Sequence, residues 1–65
     1  MILKIKNGNS WTFLDDIESA TKIMKTELET SEFIAYARKG ETITQNVSEG
    51  CYLLNDTGKT IERLV

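Results

Sequence analysis

A chain with one cysteine and no histidine cannot be stapled by an internal disulfide or by a four-ligand zinc site, so side-chain packing alone must hold whatever it folds into. At 65 residues that is a severe constraint, because a domain of this size buries only ~60% of the surface its extended chain exposes. Self-association is the cheapest remaining support, and a twofold dimer is its commonest form. The expectation is therefore one small domain, residues 1–65, that forms a homodimer.

The opening run Met1-Ile2-Leu3-Lys4-Ile5-Lys6 interrupts its apolar residues with lysine, so it reads neither as a signal region nor as a membrane span. A cytoplasmic location and no membrane partner are expected. The Asn-x-Ser/Thr sites at Asn46 and Asn55 would matter only in a secreted protein. A formal charge of −2, with both signs mixed along the chain, supplies neither a basic stripe nor an acidic block.

Proline is absent, and punctuation falls to Asn7-Gly8-Asn9, Lys39-Gly40, Glu49-Gly50 and Asp56-Thr57-Gly58. At the first of these, side-chain alternation weighs two loops. A two-residue Asn7-Gly8 turn sets Ile5 against Ser10 and Lys4 against Trp11, mixing lysines with aromatics. A three-residue loop of Asn7, Gly8 and Asn9 pairs Ile5 with Trp11 and Leu3 with Phe13, leaving Lys4, Lys6, Ser10 and Thr12 on the other face. The second register segregates apolar from polar residues, and Asn9 tolerates the left-handed conformation it needs. It predicts strands at about 2–6 and 10–14 with Trp11 and Phe13 on a dry face.

From Asp16 to Glu29 the spacing predicts a helix, capped by Asp15 with Glu18 three residues later. Ile17, Ala20, Ile23, Met24 and Leu28 share one side, and Glu18, Lys22, Lys25 and Glu29 the other. The competing reading runs a longer strand from Thr12 to Ala20, because Thr and Ile are poor helix formers. Beyond Ser31 strand formers return in Phe33–Arg38 and Glu41–Val47, joined at Lys39-Gly40. Phe33, Ala35 and Ala37 share one face of the first of these strands, and Ile34, Tyr36 and Arg38 the other. Gly50 to Val65 reads as a last hairpin around Asp56-Thr57-Gly58, with Gly58 left-handed at the end of a three-residue loop. The adjacent Leu53 and Leu54 call for cover on both faces, from the helix or a second subunit. The resulting expectation is an α+β fold: a small antiparallel sheet of two N-terminal strands and three or four C-terminal strands, covered by one helix, in the order β-β-α-β-β-β-β.

Several motif matches dissolve on inspection. Asp56-Thr57-Gly58 spells the aspartic-protease triplet, but that chemistry needs paired carboxylates in a desolvated pocket, whereas this triplet reads as a surface turn. Gly58-Lys59-Thr60 ends like a phosphate-binding loop, yet Leu53 stands where that loop needs glycine and only five residues follow. Cys51 has no histidine to serve as its base and reads as a small buried hydrophobe. The adjacent Asp15 and Asp16 read as helix caps. No catalytic residue, cofactor or metal site is expected.

The aromatics remain. Trp11, Phe13, Phe33, Tyr36 and Tyr52 with Lys4, Lys6, Arg38 and Lys39 have the composition of a base-stacking platform. The register preferred above nevertheless puts rings and lysines of the first hairpin on opposite faces. Tyr36 shares a face with Ile34 and Arg38, and Tyr beside Arg is typical of protein docking surfaces. Ile34, Tyr36, Arg38 and Tyr52 are thus the expected partner-binding residues. In size and composition the chain resembles short accessory proteins of low-GC bacteria and their phages, many of which occupy a larger protein's surface. The expected function is a non-enzymatic protein-binding module, a homodimeric regulator or inhibitor of a larger protein. The alternative is a nucleic-acid-binding module using the basic face of the N-terminal hairpin.

Overall fold

Strand β1, Ile2–Asn7, alternates apolar with basic residues, and the structure takes that alternation literally: Leu3 and Ile5 are wholly buried while Lys4 and Lys6 point the other way. This chain is described here by a computed structural model, which covers residues 1–23 and 32–65. β1 lies at the interior of a four-stranded antiparallel sheet, between β2 (Ser10–Leu14) and β6 (Gly50–Leu54), with β7 (Thr60–Arg63) outside β6. A second antiparallel sheet holds β3 (Ile17–Ile23), β4 (Glu32–Arg38) and β5 (Glu41–Val47) in sequence order. The core lies between the sheets: Leu3, Ile5, Cys51 and Leu53 from the first meet Ile17, Ile34, Tyr36 and Val47 from the second, with Leu64 beside them. At one corner the sheets are tied by a reciprocal pair of bonds. The Met1 amine donates to the Ile17 carbonyl at 3.0 Å, and the Ile17 amide donates to the Met1 carbonyl at 2.9 Å.

The described fold is all-β, and the α+β expectation is corrected accordingly. Residues 17–23 of the expected helix form β3, and residues 24–29 lie outside the described residues. The cause is a β-bulge. Ile17 stands opposite Arg38, but the next pairs are Ser19 with Ala37 and Ala20 with Tyr36, so three residues of β3 advance against two of β4. Ile17 and Ala20 therefore share the inner face at a spacing of three, which in the sequence imitates the first turn of an amphipathic helix. Asp15 and Asp16 are not helix caps. Asp16 takes φ +55 at the corner between β2 and β3, a conformation Asp tolerates. Asp15 instead holds Arg38 of β4: the guanidinium donates through Nη2 to Asp15 Oδ1 at 2.6 Å and through Nε to the Asp15 carbonyl at 2.8 Å. This hydrogen bond, more than charge alone, holds the Asp15 carboxyl below its ordinary pKa.

Turn chemistry sets the registers. Asn7 pairs with Ser10, so the first hairpin turns on Gly8 and Asn9 alone, with Gly8 at φ +62 in the first central position, where a type II′ turn requires glycine. Arg38 pairs with Glu41 across Lys39 and Gly40, both at positive φ, as a type I′ turn demands. In the last hairpin the Asn55 carbonyl accepts from the Gly58 amide and the Asn55 amide donates to Lys59, which closes a three-residue loop with Gly58 left-handed as expected. The Asn55 side-chain oxygen accepts from the Thr57 amide, the Thr57 hydroxyl and the Lys59 amide, so the loop folds around one side chain. Leu53 and Leu54 face opposite sides of β6, in register with Leu3 and Ile2, yet both are buried within one chain, and the register shift beside them places the extra residue, Ile61, on β7. The cover they call for thus needs neither a helix nor a second subunit. Among the described residues no helix is long and apolar enough to cross a membrane.

Ile5→Ala should lower stability by about 2–5 kcal/mol in denaturant titration, since it empties a fully buried site at the centre of the core. Thr44→Ser, on the exposed side of β5, should stay within about 0.5 kcal/mol of the parent.

Candidate functional site

The two-residue turn has one large consequence. It pairs Lys6 with Trp11, Ile5 with Thr12 and Lys4 with Phe13, so the aromatics of β2 stand on the lysine face of β1 and not on its core face. Trp11 is 41% exposed and Phe13 59%. On the far side of β1, Lys4 is in register with Tyr52 and Lys6 with Gly50, and Tyr52 is in register with Arg63 of β7. Two rows thus cross the sheet at right angles to its strands: Phe13, Lys4, Tyr52, Arg63, and beside it Trp11, Lys6, Gly50.

These rows are electrostatically bound together. The Lys4 ammonium lies 4.3 Å from the Trp11 ring centroid, 5.8 Å from Tyr52 and 5.9 Å from Phe13, so a single cation is shared by three rings. Lys6 stands 6.0 Å from the Trp11 centroid and Arg63 5.7 Å from that of Tyr52. The Trp11 and Tyr52 rings are 6.0 Å apart with planes inclined at 47°. Each such contact contributes on the order of 0.5–1 kcal/mol at an exposed site, enough to orient rings without hiding them. Glu49 touches the rim of the face, 3.7 Å from Lys6. No residue that strand register and alternation assign to the face itself is acidic. Among the described residues there is no enclosed pocket, so what this side offers is an open surface.

The residues expected to bind a partner do not come together. Ile34 is fully buried and Tyr36 is 7% exposed, both in the core between the sheets. Arg38 is engaged with Asp15. Only Tyr52 belongs to the aromatic face. The expectation that rings and lysines of the first hairpin occupy opposite sides is overturned: Trp11, Phe13, Lys4 and Lys6, weighed from the sequence as a base-stacking platform and set aside on that register, share one face, and Arg63 is the member that sequence reasoning left out. The signal that could have found them is Gly8, whose fitness for the first position of a type II′ turn fixes the register that puts them there. Cys51 is fully buried in the core, where loss of water pushes its thiol up to about 11. Asp56-Thr57-Gly58 forms the exposed tip of the last hairpin, and Gly58-Lys59-Thr60 leads from that tip into β7.

Fold and face together define a small all-β domain that presents an aromatic and basic sheet surface. No known protein family matches the chain, and no curated protein or solved structure shows significant similarity to it.

Two measurements check this geometry. As the chain's one tryptophan, Trp11 should show a higher ratio of iodide to caesium quenching than free N-acetyltryptophanamide at low ionic strength, because Lys4 and Lys6 concentrate anions at the indole. Raising inert salt to about 1 M should largely erase the difference, since the screening length falls to about 3 Å. Cys51 should resist a thiol-reactive probe at neutral pH in the folded protein and react promptly after denaturation.

Proposed function

We propose that this protein is a non-enzymatic module that binds single-stranded nucleic acid on the outer face of its four-stranded sheet. The observation that carries the reading is the placement of exposed Trp11 and Phe13 and half-buried Tyr52 on one surface with Lys4, Lys6 and Arg63. Sequence-tolerant recognition of single strands combines aromatic rings on which bases stack with cations that follow the phosphates. Both components are present here at contact distance, on rigid strands and not on loops. An open surface suits a flexible polymer better than a small metabolite, which would seek a concave site.

A second reading keeps the face and changes the ligand: docking on a larger protein, as a regulator or inhibitor, either as a monomer or as a homodimer. It is favoured by the net charge of −2, unusual for a polyanion binder, and by a patch made of Trp, Tyr and Arg, the residues most enriched at docking hot spots. The two readings respond differently to salt. Three cations can neutralise up to three phosphates, giving a slope of log affinity against log salt of roughly −2 for a single strand, or about 20-fold between 50 and 200 mM. A protein interface anchored by apolar rings loses little over that range.

Titration of Trp11 fluorescence with 12-nucleotide oligothymidylate and oligouridylate should show saturable quenching with that salt dependence. Trp11→Ala, followed by a labelled strand, should weaken binding by about 5- to 150-fold, the value of one stacked base. Glu49→Gln should strengthen it at low salt by freeing Lys6. Quenching absent with both strands at 50 mM salt would eliminate this function and leave the docking reading.

A further inference from the structure

Gly50 is the first residue of β6, next to Glu49 at the rim of the outer face, and since its φ is not among the positive ones its missing side chain has a reason other than backbone conformation. The reason lies above it. A Cβ built there would stand 3.7 Å from Tyr52 Cε2, 3.9 Å from Lys6 Cβ and 4.0 Å from Trp11 Cη2. The indole therefore reaches from β2 across β1 to lie against Gly50, and Gly50 is buried although it occupies the outer face of its sheet. Ring, glycine floor and second ring form a shallow step: Trp11 on one side, Tyr52 on the other, their centroids 6.0 Å apart.

That separation selects among nucleic acids. Stacked bases in a duplex follow each other at roughly 3.4 Å along a strand, so a base on Trp11 and its neighbour on Tyr52 must be pulled apart. The 47° inclination between the rings also rules out two bases lying parallel as they do in a helix. A duplex cannot meet either condition without melting, whereas a single strand can splay its bases. The cations have matching reach. Lys4 sits among all three rings, Lys6 beside Trp11, and Arg63 beside Tyr52, one positive charge for each ring.

Resting on the single-strand reading above, we infer that the face takes an unstacked segment of about three nucleotides, one per ring, with Gly50 keeping the floor between Trp11 and Tyr52 clear as a positioning residue. The substrate class is then splayed single-stranded DNA or RNA, with duplex excluded by geometry. Selectivity for either sugar is not built into the face, since its contacts are rings and point charges.

Trp11 fluorescence titrations at 50 mM salt with oligothymidylates of 2, 3, 4, 6 and 12 nucleotides, with 4-nucleotide oligouridylate and with a 12-base-pair duplex test this. Affinity should climb by tenfold or more between 2 and 4 nucleotides and then gain no more than the few-fold expected from additional registers. The ribo and deoxy tetramers should agree within threefold, and the duplex should leave the signal unchanged. A continued steep climb from 4 to 12 nucleotides would overturn the footprint while leaving single-strand binding intact, and quenching by duplex would overturn the geometric exclusion. Absence of quenching by any strand removes the underlying reading itself. Thr44→Ser, on the other sheet, should bind within twofold of the parent. Gly50→Val, β-branched and suited to a strand, should keep the unfolding midpoint yet lose at least tenfold in tetramer affinity. A Val variant that is folded and binds like the parent would show that the Gly50 floor takes no part.

Discussion

The structure depends on the inward pairing of one short strand. Leu3 and Ile5 of β1 are fully buried, facing the second sheet beside Cys51 and Leu53 of β6. Burial of a Leu or Ile side chain contributes about 1.5–3 kcal/mol, so no register that turned these two outward is competitive in so small a core. Because side chains alternate, the same choice places Lys4 and Lys6 on the outer face of an interior strand, flanked by neighbours on both sides. A lysine in that position needs something to lie against. Phe13 and Trp11 from β2 and Tyr52 from β6 supply it, and the ammonium groups of the half-buried lysines lie over these rings. The aromatic and basic face is thus a direct product of the way the core is formed.

Much of the strand layout was readable in the residues. The turns at Lys39-Gly40 and Asp56-Thr57-Gly58, the alternation of β4 and β5, and the extent of the first two strands follow from glycine placement and β-branched composition. The helix expectation failed at a definite place. Bulges are invisible to periodicity, and a bulge after Ile17 shifts the inner face from odd to even positions, so Ile17 and Ala20 stand three apart as they would on a helix. Local propensity pointed the other way, since Ile17, Thr21 and Ile23 are β-branched and Ser19 adds nothing to a helix. Where period and propensity disagree over a span this short, propensity was the better guide.

The rings of the first hairpin depart from the expected register for a related reason. Sorting apolar from polar residues assumes that aromatics belong with aliphatics, and on that rule the three-residue loop wins. Edge strands do not obey it. β2 has a neighbour on one side only, and its inner positions Ser10, Thr12 and Leu14 give the core little beyond Leu14. Its two large rings are free to serve the outside, and the turn geometry of Gly8 settles that they do. The fate of Ile34 and Tyr36 is the mirror image. Their face looked available because Arg38 shares it, but Arg38 lies at the strand end, where it reaches Asp15 at the sheet corner, while the two residues before it fill the core. One charged residue at the end of a strand carries no information about the exposure of its middle.

Net charge proves a poor summary for such a molecule. A total of −2 suggests indifference or repulsion toward a polyanion, yet screening confines each charge to its surroundings within about 8–10 Å at physiological salt. Within that radius of the Trp11 and Tyr52 rings stand Lys4, Lys6 and Arg63, and among the described residues the one carboxylate paired with any of them is Glu49 at the rim. Asp15 is committed to Arg38, Glu32 lies within 3.4 Å of Lys22, and Asp56 sits at the hairpin tip beside the Met1 amine, each away from the aromatic rows. The net charge thus belongs to the whole chain, while the field at the aromatic rows is set by Lys4, Lys6 and Arg63 with Glu49 at their rim.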